Sequence, residues 1–292
     1  VITALHADER IAQPADVHRL LAAQAPALAG QRVTPLAKTG TDNVAYRIGD
    51  SAIGRFPRTA SAAQSVRREA TWLPHLPPLP LRVPRVLAAG EPDAGYPFPW
   101  IVLDWLPGHD ATPTPPGAAA ALAAFVATLH AHPVPPGLPA APPGRLSAGA
   151  LAFARQMAAA FTPDEGDPHQ INALLDRAEA LPPPATDPVW THGDLHGANL
   201  LAQDGRLSAV IDWGSLGAGD PARDLICAWT MLDPAGRDAF RAALSPDPAA
   251  WDRARAFALV MAVQAIPYYR TTNPAFSRAR RETLAQVLSD LA

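Results

Sequence analysis

The segment HGDLHGAN, from His192 to Asn199, and the segment Asp212-Trp213-Gly214 place two carboxylates and an amide on loops beside short apolar runs. Hard oxygen donors of this kind suit magnesium. The set also matches what phosphoryl transfer from a nucleoside triphosphate requires: one carboxylate near the acceptor hydroxyl, and an amide and a second carboxylate to hold a divalent ion on the phosphates. Asp194 reads as the first, and Asn199 and Asp212 as the other two. Taken singly, each is also explained as a loop residue that meets local backbone donors, with Gly193 in a turn. Zinc fits poorly. His192 and His196 have helical spacing, but Gly193 and Gly197 disfavour a helix, and the one cysteine, Cys227, lies well downstream.

Chemistry at these residues depends on the elements that carry them. Val189-Trp190-Thr191 reads as a short strand leading into the first loop, and the apolar run Leu207 to Ile211 as a strand that ends on Asp212. Upstream, the pattern predicts a helix over Pro14 to Leu28 and strands over Gln31–Leu36, Asn43–Ile48 and Ser51–Phe56. A helix over Ala60–Leu73 follows, then strands near Arg85–Ala89 and Trp100–Leu103. Turn residues cluster at Thr39 to Asn43 and at Gly49-Asp50. From Gly117 the chain turns helical, with helices expected over 117–130, 146–160, 170–180, 223–232, 236–244, 251–269 and 276–288.

These segments, together with Gly219-Asp220-Pro221-Ala222-Arg223-Asp224-Leu225, resemble the aminoglycoside phosphotransferase family, and the likeness extends over most of the chain. The resemblance implies an α+β, protein-kinase-like, two-lobed fold: a small mixed N-lobe with an antiparallel sheet and a larger, mainly helical C-lobe. It puts the N-terminal nucleotide-binding lobe at 1–104, the interlobe linker at 105–110, and the helical catalytic and acceptor-binding lobe at 111–292. It makes Asp194 the catalytic base, Asn199 and Asp212 the ligands of Mg2+, and Asp224 a structural support for the catalytic loop. The nucleotide cleft lies between the lobes in this reading, with adenine on the carbonyl of Asp104 and the N–H of Leu106, and Leu103 behind the ring. On burial propensity alone, Leu103 is first a core residue.

The phosphate anchor departs from the family pattern. A lysine is usual in the third strand, but the chain has one lysine, Lys38, placed before the first hairpin. Arg55 in Ala52-Ile53-Gly54-Arg55-Phe56 is therefore expected to take the role, paired with Glu69 of the following helix. A guanidinium forks onto two acceptors where an ammonium acts as a point charge. Arg67 and Arg68 read either as surface charges or as competing partners of Glu69. The turn Gly40-Thr41-Asp42-Asn43 lacks a full glycine-rich phosphate signature, although backbone donors from Thr41 to Asn43 and the Thr41 hydroxyl suit a phosphate.

With 292 residues, a formal charge of −3 and no dense basic run, the chain offers no field for nucleic acid. One cysteine forms no intrachain disulfide, no apolar run approaches a membrane span, and Val1 to Arg10 lacks the order of a secretory signal, so a cytoplasmic location is expected. The expected reaction is transfer of the ATP γ-phosphoryl group to a hydroxyl of a small molecule, in the class of aminoglycosides, macrolides or other hydroxylated compounds. The alternative is a nucleotide-binding module that has lost efficient transfer. Asp164-Glu165-Gly166-Asp167 reads either as a solvated loop or as an attractor for a cationic acceptor, and Trp251, Gln264, Tyr268, Tyr269 and Arg270 either as packing and surface residues or as an acceptor wall. Oligomeric state is not encoded in these patterns.

Overall fold

A computed structural model describes residues 9–36, 42–142, 144 and 146–291. They form two compact units. One holds the described residues up to Pro78 with Arg82–Pro107 and Val210–Leu216, and the other holds Leu79–Leu81, Gly108–Ala209 and the described residues from Gly217 on. The segment bearing Asp212 therefore packs with the first unit, although it follows the loop bearing Asp194 in sequence.

The first unit contains α1 (Pro14–Gln24), β1 (Val33–Pro35), β2 (Asn43–Ile48), β3 (Ala52–Pro57), α2 (Ala60–Trp72), β4 (Val86–Gly90) and β5 (Trp100–Asp104). Its five strands are hydrogen-bonded in the order β1-β2-β3-β5-β4, antiparallel throughout. Gly49, at φ 54°, supplies the positive dihedral of the tight turn between β2 and β3. Period-two alternation sends Val44, Tyr46, Ile48 and Phe56 into one core with Val17, Leu20 and Leu21 of α1. Phe56 stacks on Trp100 with centroids 5.7 Å apart. Each such fully buried side chain contributes about 1.5–3 kcal/mol. α2 starts at Thr59, whose hydroxyl accepts the Ala62 N–H. Its buried positions, Ala62, Val66 and Glu69, follow helical spacing, so Glu69 is carried inward by an otherwise apolar stripe.

The second unit contains β6 (His109–Asp110), α3 (Ala118–Ala131), α4 (Ala148–Ala158), α5 (Pro168–Glu179), β7 (Val189–Thr191), β8 (Leu200–Gln203), β9 (Arg206–Val210) and β10 (Gly217–Gly219). α6 (Cys227–Thr230), α7 (Pro234–Leu244), α8 (Pro248–Tyr268) and α9 (Pro274–Ser289) follow. The helices α5, α7, α8 and α9 share one start signal: Asp167, Asp233, Asp247 and Asn273 each cap with the side chain, and a proline follows. A missing proline N–H costs nothing where the first helical donors have no partner, and each cap contributes roughly 1 kcal/mol. α8 is apolar nearly all round from Ala254 to Ile266 and packs against α4, α5 and α9.

The helix expected over 223–232 is reduced to α6, preceded by a 3-10 turn at Pro221–Arg223. The Asp224 side chain, between them, is drawn inward to the backbone donors of His192 and Gly193. β7 and β9 stand where strands were expected, and the short strands β6, β8 and β10 that complete their sheets were not anticipated.

Candidate active site

In the first unit Arg55 lies across from Ala45 of β2, on the face opposite the α1 core. Its Nη1 donates to Glu69 Oε2 at 2.6 Å and its Nη2 to Asp212 Oδ1 at 2.7 Å. Glu69 is fully buried, and its Oε1 accepts the Trp213 N–H at 3.2 Å. Burial opposes the charge on Arg55, but Asp212 and Glu69 outweigh it and hold the guanidinium above its ordinary pKa. For Glu69, burial pushes the carboxyl up, Arg55 pulls it back and the Asp212 charge adds to the rise, so the net direction is upward. Asp212 is half exposed and adopts φ 63°, a left-handed conformation that aspartate tolerates better than most residues. A Cβ on Gly214 would approach Ser65 Cβ of α2 to 2.9 Å, so glycine is what lets this turn sit against the helix.

The remaining nucleotide expectations fall in the same unit. Leu103 is buried on β5, in register with Ile53. Asp104 spends its N–H on the Arg85 carbonyl and its carboxylate on the Arg85 N–H and Nε, and Trp105 donates to the Ser51 carbonyl. Leu106 is buried. Asn43 is buried too, and its Oδ1 meets no hydrogen-bond donor among the described residues. Thr41 lies outside the described residues. Arg67 pairs with Glu91, and Arg68 donates to the Leu216 carbonyl, so neither takes Glu69 from Arg55 in the contacts seen.

In the second unit β7 pairs with β10, Thr191 opposite Gly217, and feeds the loop. Asp224 is fully buried and accepts the His192 N–H at 3.0 Å and the Gly193 N–H at 2.7 Å, while His130 Nε2 lies 3.0 Å from its Oδ2. Burial works against its ionisation, yet the His130 contact, the electrostatic pull of His130 and His192, and the Gly193 N–H together hold its pKa below the usual carboxylate range. Gly193 sits at φ 82° and turns the chain so that the Asp194 N–H reaches His192 Nδ1 at 3.2 Å. The Asn199 Nδ2 donates to the Asp194 carbonyl at 3.0 Å and to its Oδ2 at 3.1 Å. Thr230 of α6 donates to the Leu195 carbonyl at 3.0 Å. With the Asn199 nitrogen committed, its oxygen is the end left for a cation. Amide oxygens and carboxylates are each donors magnesium accepts, and no group of three or more His, Cys, Asp or Glu among the described residues is arranged for a metal.

The acidic segment has a different role from either expectation. Glu165 is buried and accepts Arg270 Nε at 2.9 Å, Arg270 Nη2 at 2.6 Å and Arg281 Nη2 at 2.7 Å, and Asp164 accepts Arg281 Nη1 at 2.8 Å. Burial is more than offset by Arg270 and by the donors of Thr162, so the Glu165 carboxyl stays below its ordinary value. The segment ties the loop before α5 to the end of α8 and to α9, and Asp167 caps α5. Trp251 is buried against Trp229, and Gln264 donates to the Ala150 carbonyl. Tyr268 is exposed, in contact with Phe153 and Tyr269. His130 and the clamping role of Arg270 and Arg281 had no local sequence signal.

Three comparisons bear on this arrangement. The phosphotransferase enzyme family matches the chain over residues 32–257. Viomycin phosphotransferase of Streptomyces vinaceus is 32% identical over 195 residues, covering 61% of this chain and 67% of that protein. Aminoglycoside 3'-phosphotransferase of Escherichia coli is 32% identical over 127 residues, covering 39% of this chain and 42% of that protein. Among solved structures, aminoglycoside 2'-phosphotransferase-IIIa in its GDP complex superimposes with a TM-score of 0.71 at 17% identity, covering 96% of this chain and 100% of the other. That likeness gives the kinase-like fold.

Proposed function

The chain belongs to the phosphotransferase enzyme family, and we propose that it moves the γ-phosphoryl group of ATP to a hydroxyl of a small molecule, with antibiotics of the viomycin and aminoglycoside kind as the first candidates. The observation that carries this reading is the Asp194 loop: its backbone is hydrogen-bonded to the buried Asp224, and the Asp194 carboxylate is hydrogen-bonded to Asn199. Asp194 accepts or orients the proton of the acceptor hydroxyl, which needs only hydrogen-bond reach and no strongly shifted basicity. Asn199 and Asp212 are the metal ligands. Arg55 is the cation that anchors the phosphates, kept charged by Glu69 and Asp212 and kept rigid by two ion contacts. Leu103, Asp104 and Leu106 receive the base, and Asn43 and Thr41 supply further polar groups near the phosphates; the orphaned Asn43 oxygen supports that assignment. Magnesium–ATP, when bound, supplies the phosphoryl group and the neutralisation of its charge.

No helix among the described residues is long and apolar enough to cross a membrane, and the acceptor is expected to be a freely diffusing molecule met in the cytoplasm. The competing reading, a module that binds nucleotide without transfer, gains no support from a site in which Asp194, Asn199 and Asp212 are all retained.

The test is a turnover screen with magnesium and ATP or GTP against viomycin, kanamycin, spectinomycin, a macrolide, nucleosides and amino alcohols, read by product mass. The expected result is one added phosphoryl group on an acceptor with the native protein and none with Asp194→Asn. Nucleotide binding with no acceptor modified overturns the reading.

A further inference from the structure

The catalytic loop contains a histidine that the proposed reaction does not use. His196 is buried, two residues beyond Asp194. Its Nδ1 accepts the Ala198 N–H at 3.3 Å. A ring nitrogen that accepts carries no proton, so in the neutral imidazole the proton sits on Nε2. Nε2 lies 3.4 Å from Asp194 Oδ2, a little beyond the usual N–H···O span and within ion-pair distance. It is also 3.2 Å from Asn199 Nδ2. Both protons of that amide are directed at Asp194, to its carbonyl and its Oδ2, so this approach is proximity rather than a bond.

We infer that His196 is a positioning residue for Asp194: its Nε2–H and the Asn199 Nδ2 converge on one carboxylate oxygen and set the rotation of the carboxylate toward the acceptor hydroxyl. The inference rests on the reading of Asp194 as the base. Two observations point to positioning rather than filling. The ring is fixed from both sides, by the Ala198 N–H at Nδ1 and by Phe276 at the start of α9, whose ring stands edge-on at 6.1 Å and 68°. Phe276 is in turn held, its N–H donating to Asn273 and its ring touching Tyr269 at 5.1 Å. Each donor on a carboxylate oxygen narrows its torsional freedom about the last bond. The second donor removes that freedom, and at a reacting group such freedom is what lowers the turnover number.

The expected kinetic signature is a split. His196→Ala lowers kcat by roughly 10–100-fold, the scale of a small misplacement of a reacting group, and leaves the nucleotide KM within about twofold, since ground-state binding is untouched. His196→Gln, whose amide N–H extends to a similar reach, recovers part of kcat. A structural role alone moves thermal stability and both constants together, without recovery by glutamine. A second measurement needs no acceptor: nitrogen-15 spectra of the histidine rings in the native protein, assigned by the signals lost in His196→Gln. They should show His196 protonated at Nε2 and bare at Nδ1, with the Nε2–H signal displaced in Asp194→Asn. A proton on Nδ1, an Nε2–H signal indifferent to Asp194→Asn, or an unchanged kcat in His196→Ala overturns the inference. If the native protein phosphorylates nothing in the screen, the transfer reading fails on its own, and the ring spectra still decide the contact between His196 and Asp194.

Discussion

Glu69 in the first unit and Asp224 in the second are equally buried, yet their carboxyls shift in opposite directions. Burial raises both. Glu69 has one guanidinium and one backbone N–H to offset it, and it shares that guanidinium with a second carboxylate, Asp212. Asp224 has two backbone N–H groups and an imidazole, with no competing anion among these contacts. The number and exclusivity of donors therefore decide whether a buried carboxylate remains easily ionised. The two arrangements also serve different ends. Around Arg55 a cation is made rigid and kept charged, whereas around Asp224 an anion acts as a peg for the backbone of a loop.

The largest effect expected is on turnover. Asp194→Asn should lower kcat by about 10²–10⁴-fold, the usual loss on removing a general base, with an unchanged melting curve. Activity close to native in the folded variant separates Asp194 from the chemistry and leaves Asp224 holding a loop of no catalytic consequence.

Next comes the direct contrast between the buried acids. Asp224→Asn should cost about 3 kcal/mol, because the amide nitrogen takes the place of one of the two oxygens and leaves one backbone N–H facing a donor, unsatisfied. Glu69→Gln should cost about 1 kcal/mol, because a carboxyl already biased toward its neutral form loses less on neutralisation. Urea unfolding of both variants checks the order, and equal losses break the comparison.

Arg55→Lys keeps the charge and loses the fork. The nucleotide KM should rise roughly tenfold, the value of about one charge-assisted hydrogen bond, while Arg55→Ala should weaken nucleotide use further still. Unchanged nucleotide kinetics in both variants removes Arg55 from the phosphate site.

The smallest effect is in the acid dependence of stability. Asp224 has a depressed folded value, so its contribution is present above the unfolded carboxylate pKa of about 4 and is lost as pH falls through the folded value. Glu69 has a raised folded value, so its contribution is complete below about 4.3 and is lost as pH rises through the folded value. Urea midpoints should therefore depend less steeply on pH than native below about pH 4 in Asp224→Asn, and just above that range in Glu69→Gln. The same flattening in both variants contradicts the opposite shifts.

How far the sequence anticipated this depends on the range of the interaction. Period-two and helical patterns mark local burial, which is why β2, β3, β5 and α2 stand close to where the residues predict them. The alternation of β3 also put Arg55 and the core residue Phe56 on opposite faces. The pairing of Arg55 with Asp212 joins residues far apart in sequence, as do the ties of Glu165 to Arg270 and Arg281. No window of local composition contains both partners, so Asp164-Glu165-Gly166-Asp167 read as a loop or a charged lure when it is a clamp. Strands as short as β6 and β10 are below the length at which alternation registers. The break before α6 follows from the inward turn of Asp224, which helix propensity does not register.

An arginine at the position proposed to anchor phosphate has a practical consequence for detection. Nucleotide reagents carrying a mixed anhydride at the phosphate end mark ATP-using enzymes by acylating the amine that neutralises that phosphate. A guanidinium stays protonated under all working conditions and is no nucleophile, and the one lysine of this chain, Lys38, lies outside that strand. With Arg55 as the anchor, surveys that depend on lysine labelling at that strand will pass over this protein even where it is abundant.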